Sequence, residues 1–174
     1  MSGGRLLGSP RLLAAAVVAA VVCVPLASAA PTNAPTCATV APSLVKTTLG
    51  ITVQSTVQSS NSAFSGLKYL LCTYAPTTFI EYISPASGTG WNTLTSQLKH
   101  ATVLAAASGL GTAAFSGTGT NTSSTFVNGK SKMVTTKTTN LWVYVAGKAI
   151  FEISVGNGNL AREKVLALKM VKLV

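Results

Sequence analysis

An apolar run near the amino end decides how much of this 174-residue chain is left to fold as a domain. Arg5 and Arg11 lie near the start of the chain, and thirteen apolar residues follow them over 12–24. Residues 27–29 then read Ala-Ser-Ala, a small-x-small sequence. A basic segment, a short apolar core and a small-residue cleavage site are the parts of a secretory signal. The first thirty residues are therefore expected to contribute nothing to the fold.

This interpretation predicts a secreted or cell-envelope protein, with cleavage near Ala29. Two alternatives stay open. Residues 12–24 could remain as a membrane anchor, although a spanning helix needs about 20 residues. Cys23 could be the acylated residue of a lipoprotein, although Val22 stands where that site normally has a small residue. No later stretch is apolar enough to cross a bilayer, so no transmembrane span is predicted in the mature form. The predicted organisation is a signal peptide over 1–29, an extended leader over 30–36 and a single domain over 37–174.

Removal of the signal leaves two cysteines, Cys37 and Cys72. An even number of cysteines in an exported domain most simply forms disulfides. A metal pair or a reactive thiol are the alternatives, but a cysteine pair with only one histidine in the chain, His100, makes a poor zinc site. We predict one Cys37–Cys72 disulfide, no metal site and no cofactor.

Apolar spacing predicts an α+β domain, in which an antiparallel sheet or sheets are packed by about three helices. The order is roughly α-β-β-β-α-β-β-β-α. Residues 116–125 are expected to be an irregular loop, and Asn128-Gly129 a two-residue hairpin turn. The predicted helices cover 41–49, 91–108 and 159–174, and the main predicted strands cover 51–58, 67–74, 78–83, 131–138, 141–145 and 150–155.

Four finer expectations concern side chains. The two tryptophans, Trp91 and Trp142, are expected to pack in or beside the core. Glu152 alternates with Phe151 and Ile153, which predicts a charge on the solvent side of its strand. Asn159 is expected to cap the last helix. The buried face of that helix is predicted to comprise Ala161, Val165, Leu168 and Val171.

Together these segments resemble a family of small exported domains of unknown function from actinobacteria, many of them lipoproteins of the cell envelope. The similar features are the early Cys37, Leu49-Gly50 before a strand, a Cys-Thr-Tyr strand over 72–74, and Gly-Leu-Gly-Thr-Ala-Ala over 109–114. A hairpin and an amphipathic helix complete the pattern. The resemblance implies a location and an architecture, and no activity.

Acidic residues are scarce, which excludes several chemistries. The chain has no aspartate and only three glutamates. An EF-hand loop is therefore excluded, and a Ser-His-acid triad would have to combine His100 with a glutamate. The Ser-x-x-Lys pattern occurs three times without its Ser-Asp-Asn and Lys-Thr-Gly partners, which indicates chance. We predict no catalytic residues. A hydrolase in which His100 or a buried lysine acts as the base is a less favoured alternative. The three matches are Ser43/Lys46, Ser65/Lys68 and Ser96/Lys99.

The charge balance points towards anionic partners. Thirteen basic residues face three acidic ones, for a net charge of +10. Such a field attracts anionic polymers and lipid headgroups, although a merely solubilising surface is an alternative. Nucleic acid is disfavoured, because no recognised motif is present and the chain is predicted to be exported. Candidate binding residues are Lys130, Lys132 and Lys137 on the hairpin, and further basic residues on the last helix are Arg162, Lys164, Lys169 and Lys172.

The sequence thus predicts a non-catalytic binding module for an envelope lipid, an anionic polymer or a small apolar ligand. A secreted protein–protein interaction module is the alternative.

Overall fold

The structure, a computed structural model, describes residues 34–53, 56–64, 66–127 and 130–174, and gives the backbone alone for 61–64 and 123–127. The predicted signal peptide, Cys23 and the turn at 128–129 lie outside these residues. In the described part, no helix has the length and apolar character needed to cross a bilayer. A 3₁₀ turn covers Cys37–Thr39, the helices are α1 (Pro42–Leu49), α2 (Gly88–Ala101) and α3 (Leu160–Val171), and the strands are β1 (Val57–Phe64), β2 (Leu67–Ala75), β3 (Thr78–Ser84), β4 (Ala105–Ala106), β5 (Ala113–Val127), β6 (Lys130–Val145) and β7 (Ala149–Gly156).

The seven strands form one antiparallel sheet in the order β1-β2-β3-β7-β6-β5-β4. The predicted α+β class with three helices is confirmed, and the observed order is roughly the predicted one. The predicted strands 131–138 and 141–145 form the single strand β6, and β4 and β5 add two strands before it. Because β3 and β7 lie in the middle of the sheet, side chains on both of their faces are covered by other parts of the protein more than those of the edge strands are.

The main core lies between the sheet and the helices α1 and α3. Cross-strand registers place Cys72, Ile80 and Ile153 in one row on this face, and all three are fully buried. The Cα atoms of Cys37 and Cys72 are 5.4 Å apart in a disulfide, which confirms the predicted pair. The disulfide fastens the 3₁₀ turn to β2 inside this core.

Helix α2 covers part of the opposite face of the sheet. It begins after Ser87, whose hydroxyl accepts a hydrogen bond from the Gly90 N–H at 3.1 Å. The Trp91 ring stacks on Phe115 and Tyr144, with centroid distances of 5.6 and 5.7 Å. Trp91 and Trp142 are both buried, as the sequence predicted.

The predicted strand over 51–58 is wrong in its position. Gly50, with φ of 71°, ends α1 in the left-handed conformation. Ile51 and Val53 then pack on the main core as irregular chain, and β1 begins only at Val57. Ile51 and Val53 therefore contact the core without being part of a strand. The edge strand forms instead in the mostly polar segment that follows, where β1 pairs with β2.

Helix α2 is also shorter than predicted. It ends at Ala101 instead of reaching 108, and residues 105–106 form β4. The two β-branched residues that follow, Thr102 and Val103, are poor helix formers. The Thr102 hydroxyl donates to the Thr118 carbonyl at 3.0 Å, which directs the chain along β5.

The predicted loop over 116–125 belongs to the long strand β5. β5 and β6 pair without interruption from Ala113↔Tyr144 to Val127↔Lys130, so the predicted loop is wrong and the predicted strand over 131–138 is confirmed. The neighbouring strands stop earlier, since β7 pairs with β6 only as far as Thr138. We call residues 120–127 and 130–137 the ribbon, because there the two strands pair only with each other.

Helix α3 has the predicted cap and a different buried face. The Asn159 side chain accepts from the Ala161 N–H at 2.9 Å and from the Arg162 N–H at 3.4 Å. However, Val165 and Leu168 are 47% and 46% exposed and Ala161 is exposed, so the predicted face is wrong except for Val171, which packs against the main core. The helix has apolar residues on two sides, and periodicity alone could not select between them. The buried side chains of α3 are Glu163, Leu166, Ala167 and Met170.

Candidate functional site

A cavity of about 760 Å³ opens where β2, β3 and β7 meet the leader and two connecting segments. The β3–α2 connection, 84–87, and the β6–β7 turn at 147–148 complete its wall. This volume lies in the range of about 300–1,000 Å³ found for small-molecule sites. The apolar and aromatic residues that line it are Ala34, Pro35, Tyr69, Leu70, Tyr82, Ile83, Pro85, Ala86, Ala149 and Ile150.

The shape of the β3–α2 connection depends on a close backbone approach. Gly90, in the first turn of α2, lies against the Pro85 carbonyl, and a side chain at this position would collide with it. The Ser87 N–H donates to the same carbonyl at 2.9 Å. These contacts hold Pro85 and Ser87 in the wall of the cavity.

Tyr82 lines the cavity, and its hydroxyl is buried. Its side chain is 6% exposed, and its hydroxyl has no partner of hydrogen-bond geometry among the described residues. Burial raises the pKa of this hydroxyl, and the neighbouring Thr39 lowers it by a smaller amount. The hydroxyl is therefore enclosed by protein, although the Tyr82 residue lines the cavity.

Two exposed lysines, Lys68 and Lys148, also line the cavity. Lys68 lies at the start of β2, and Lys148 lies in the β6–β7 turn, where its ammonium donates to the Val174 carbonyl at 3.1 Å. An apolar cavity beside two cations suits a molecule with an apolar body and an anionic group. Sequence reasoning missed both lysines as site residues, because they are 80 positions apart in sequence and only the fold brings them together.

The predicted binding lysines do not lie at this cavity. Lys130 and Lys132 are exposed on the ribbon, and strand alternation places them on one face of β6 and Lys137 on the other. Lys137 lines a second, more open cavity of about 720 Å³ at the base of the ribbon, with Thr138 and Asn157. The structure therefore separates the three lysines and does not gather them into one pocket.

Glu81 and Glu152 lie directly opposite each other across the central pair β3 and β7. Glu152 alternates with Phe151 as predicted, but it is half-buried and not a solvent-side charge. Burial raises the pKa of Glu81 to about 7. Burial, with repulsion from Glu81, raises the pKa of Glu152 to about 8, and the neighbouring Trp142 partly offsets this. Neither carboxyl lines the large cavity.

The third glutamate, Glu163, is fully buried on α3. Its carboxyl lies against Gly158 and the Thr139 hydroxyl, and burial raises its pKa to about 7. All three acidic side chains of the chain are thus withdrawn from full exposure, and each favours the neutral form at mildly acidic pH.

The residues considered for catalysis are not assembled with one another. His100 is exposed at the end of α2. Ser43 and Ser96 are exposed on helices, Ser65 lies outside the described residues, and only Lys68 of the Ser-x-x-Lys matches lines the large cavity. Among the described residues, no three His, Cys, Asp or Glu side chains are arranged to hold a metal ion.

No protein-family model matches the chain, and neither a curated protein nor a solved structure shows significant similarity to it. The resemblance to exported actinobacterial domains therefore stays a prediction from the sequence.

Proposed function

We propose that this protein is a non-catalytic binding module that holds a small amphiphilic ligand, with an apolar body and an anionic group, in the large cavity. The observation that carries the proposal is the combination of an apolar lining with Lys68 and Lys148. Moving the apolar body of the ligand from water to this lining is favourable. The two ammonium groups favour a carboxylate, phosphate or sulfate as its anionic group.

A long-chain fatty acid is a suitable probe, because it has both parts of the proposed ligand. Fluorescence displacement of an anthroyloxy-labelled fatty acid should show saturable binding, and native mass spectrometry should show one bound molecule. The Lys68→Gln/Lys148→Gln variant should bind about three- to tenfold more weakly, since an exposed cation contributes up to about 1 kcal/mol. The matched control is Lys46→Gln/Lys99→Gln, which removes two exposed charges away from the cavity. No saturable binding, or an equal loss in both variants, would contradict the proposal.

The setting of this function is proposed to be extracytoplasmic. The disulfide is compatible with an oxidising compartment, and the amino-terminal pattern supports export. The intact mass of the protein recovered from its producer tests this, since cleavage near Ala29 leaves a defined amino terminus. Full-length protein retained in the cytoplasm would contradict it.

The ribbon supports a second candidate, an interaction module for an acidic partner. Beyond the sheet, eight residue pairs from Thr120↔Lys137 to Val127↔Lys130 extend with no other strand beside them. Three lysines and no acid lie in this segment. A variant that joins Gly119 to Thr138 by an Asn-Gly turn removes the ribbon and keeps the sheet. Loss of polyglutamate binding in this variant, measured by calorimetry, would support the candidate, and unchanged binding would exclude it.

A further inference from the structure

The outer side of α3 carries apolar side chains opposite those that it buries. Successive helical residues are rotated by about 100°. Val165 and Leu168 therefore lie on the side of the helix away from Leu166 and Met170, and they are 47% and 46% exposed. Leu173, just beyond the helix, is 51% exposed. A helix that packs only on its own domain has no need of this second apolar stripe.

Basic side chains border the exposed stripe on both sides. Helical rotation places Lys164 on one side and Arg162 and Lys169 on the other, with Lys172 on the stripe itself. Arg162 donates to the Leu49 carbonyl at 2.9 Å and Lys169 to the Thr48 hydroxyl at 3.1 Å, so that these two cations lie along α1. The acid of this helix, Glu163, is fully buried and presents no charge at the surface. We call the surface formed by these residues the outer face of α3. It is apolar in the middle, cationic at the margins and free of anions.

We propose that the outer face of α3 docks on an anionic lipid bilayer, with Val165 and Leu168 at the boundary of headgroups and acyl chains. The bordering lysines contact the headgroups, and their methylene stems cover apolar surface. Helices that lie in a membrane interface combine these features, an apolar face and a lysine-rich margin. Juxtaposed basic residues add electrostatic attraction to an anionic leaflet.

Charge complementarity selects this occupant over a second copy of the chain. A two-fold symmetric dimer through the outer face would bring identical patches together. Arg162, Lys164, Lys169 and Lys172 would then face the same four cations with no acid between them, which is repulsive. An anionic bilayer satisfies both the apolar centre and the cationic margin.

The outer face lies next to the proposed ligand cavity at one point. Lys148, which lines the cavity, donates to the Val174 carbonyl just beyond α3. Docking would bring this side of the cavity close to lipid. The docking proposal stands independently of whether the cavity holds a ligand.

Vesicle co-sedimentation tests the proposal. The protein is used as its producer processes it, so that the wild type and all variants have the same amino terminus. The vesicles contain phosphatidylglycerol and phosphatidylcholine, with phosphatidylcholine alone for comparison. The Val165→Ser/Leu168→Ser variant should lose at least about fivefold in partitioning, because interfacial binding scales with buried apolar area. The Lys164→Gln/Lys172→Gln variant should lose a similar factor at low salt and little at high salt.

The matched control is Val103→Ser/Met133→Ser, which removes two exposed apolar side chains, 90% and 65% exposed, from elsewhere on the molecule. Its partitioning should equal that of the wild type. Lys68→Gln/Lys148→Gln should also keep vesicle binding, which separates docking from cavity binding. Thermal unfolding of each variant shows that the fold is retained.

Three outcomes would overturn the proposal. The first is no preference for anionic vesicles, and the second is an equal loss in the control variant. The third is binding to polyglutamate in solution that depends on Val165 and Leu168 as strongly as vesicle binding does, which would assign the face to an acidic protein partner instead.

Discussion

The two halves of β6 make the same backbone pairing in different surroundings. The first half, Lys130–Lys137, pairs with β5 alone, and almost all of its side chains are exposed. The second half, Thr138–Val145, pairs with both β5 and β7. It buries Leu141, Trp142 and Val143. Continuous hydrogen bonding along one strand therefore does not imply uniform packing.

The difference follows from what each half can bury. Threonine is well suited to strands, so the ribbon adopts an extended conformation without a core. An isolated pair of strands is only marginally stable in water. The sheet body, by contrast, has apolar residues on two faces and a helix layer on each. We therefore expect the body to carry the stability of the fold, and the ribbon to depend on it.

The largest expected effect is in the body. Phe151 is fully buried and makes an edge-to-face contact with Tyr82, with centroids 6.4 Å apart. Phe151→Ala should lower the free energy of unfolding by about 3–5 kcal/mol, because it removes transfer energy and leaves a cavity. Urea denaturation measures this. A loss below about 1 kcal/mol would show that the body is not the stabilising region.

The disulfide should have the next largest effect. The Cys37→Ser/Cys72→Ser variant should lose about 2–4 kcal/mol, because the open chain gains entropy in the unfolded state. Comparing the midpoint of urea unfolding for oxidised, reduced and variant protein tests this. Equal midpoints for the oxidised and variant proteins would rule out a stabilising role.

The carboxyl pair should make the body less stable at alkaline pH. The pKa of Glu81 is raised from 4.5 to about 7 and that of Glu152 to about 8. The folded state therefore binds protons more tightly than the unfolded state. This stability is fully present below about pH 4.5 and is lost as pH rises through 7 and 8. Unfolding free energy should fall by at least about 1 kcal/mol between pH 5 and pH 9.

The Glu81→Gln/Glu152→Gln variant is the control for this pH dependence. Its stability should change less between pH 5 and pH 9 than that of the wild type, because the two amides do not titrate. An identical slope in variant and wild type would mean that this pair is not responsible.

The smallest loss of unfolding free energy is expected for a substitution in the ribbon, and a second threonine of β6 provides the matched comparison. The Thr135 hydroxyl lies 3.2 Å from that of Thr122 on β5, in an exposed cross-strand pair. Thr135→Ala should cost at most about 0.5 kcal/mol. Thr138→Ala, at a position only 7% exposed in the same strand, should cost about 1 kcal/mol or more. The opposite ranking would show that the ribbon contributes more than the comparison predicts.

Local patterns predicted the elements whose packing follows from neighbouring residues. Strands β2, β3 and β7 are short apolar segments between turn residues, and they lie within two residues of their predicted bounds. Gly50 and Asn159 end and begin helices as expected, because both signals act within one helical turn. The edge strand β1 and residues 116–125 of β5 carry mostly polar side chains, so no apolar pattern distinguished them from loops.

The sequence alone determined which two cysteines pair, since only two follow the apolar run, and where helix caps and buried strands lie. Those features depend on residue type and on nearby spacing. Tertiary structure alone decided which side of α3 is buried, that Glu81 lies opposite Glu152, and that Lys68 and Lys148 line the same cavity. These depend on how segments far apart in the chain pack together. A helix with two apolar sides, or two strands with free registers, offers several arrangements of similar local energy, and only the packing of the whole domain selects one.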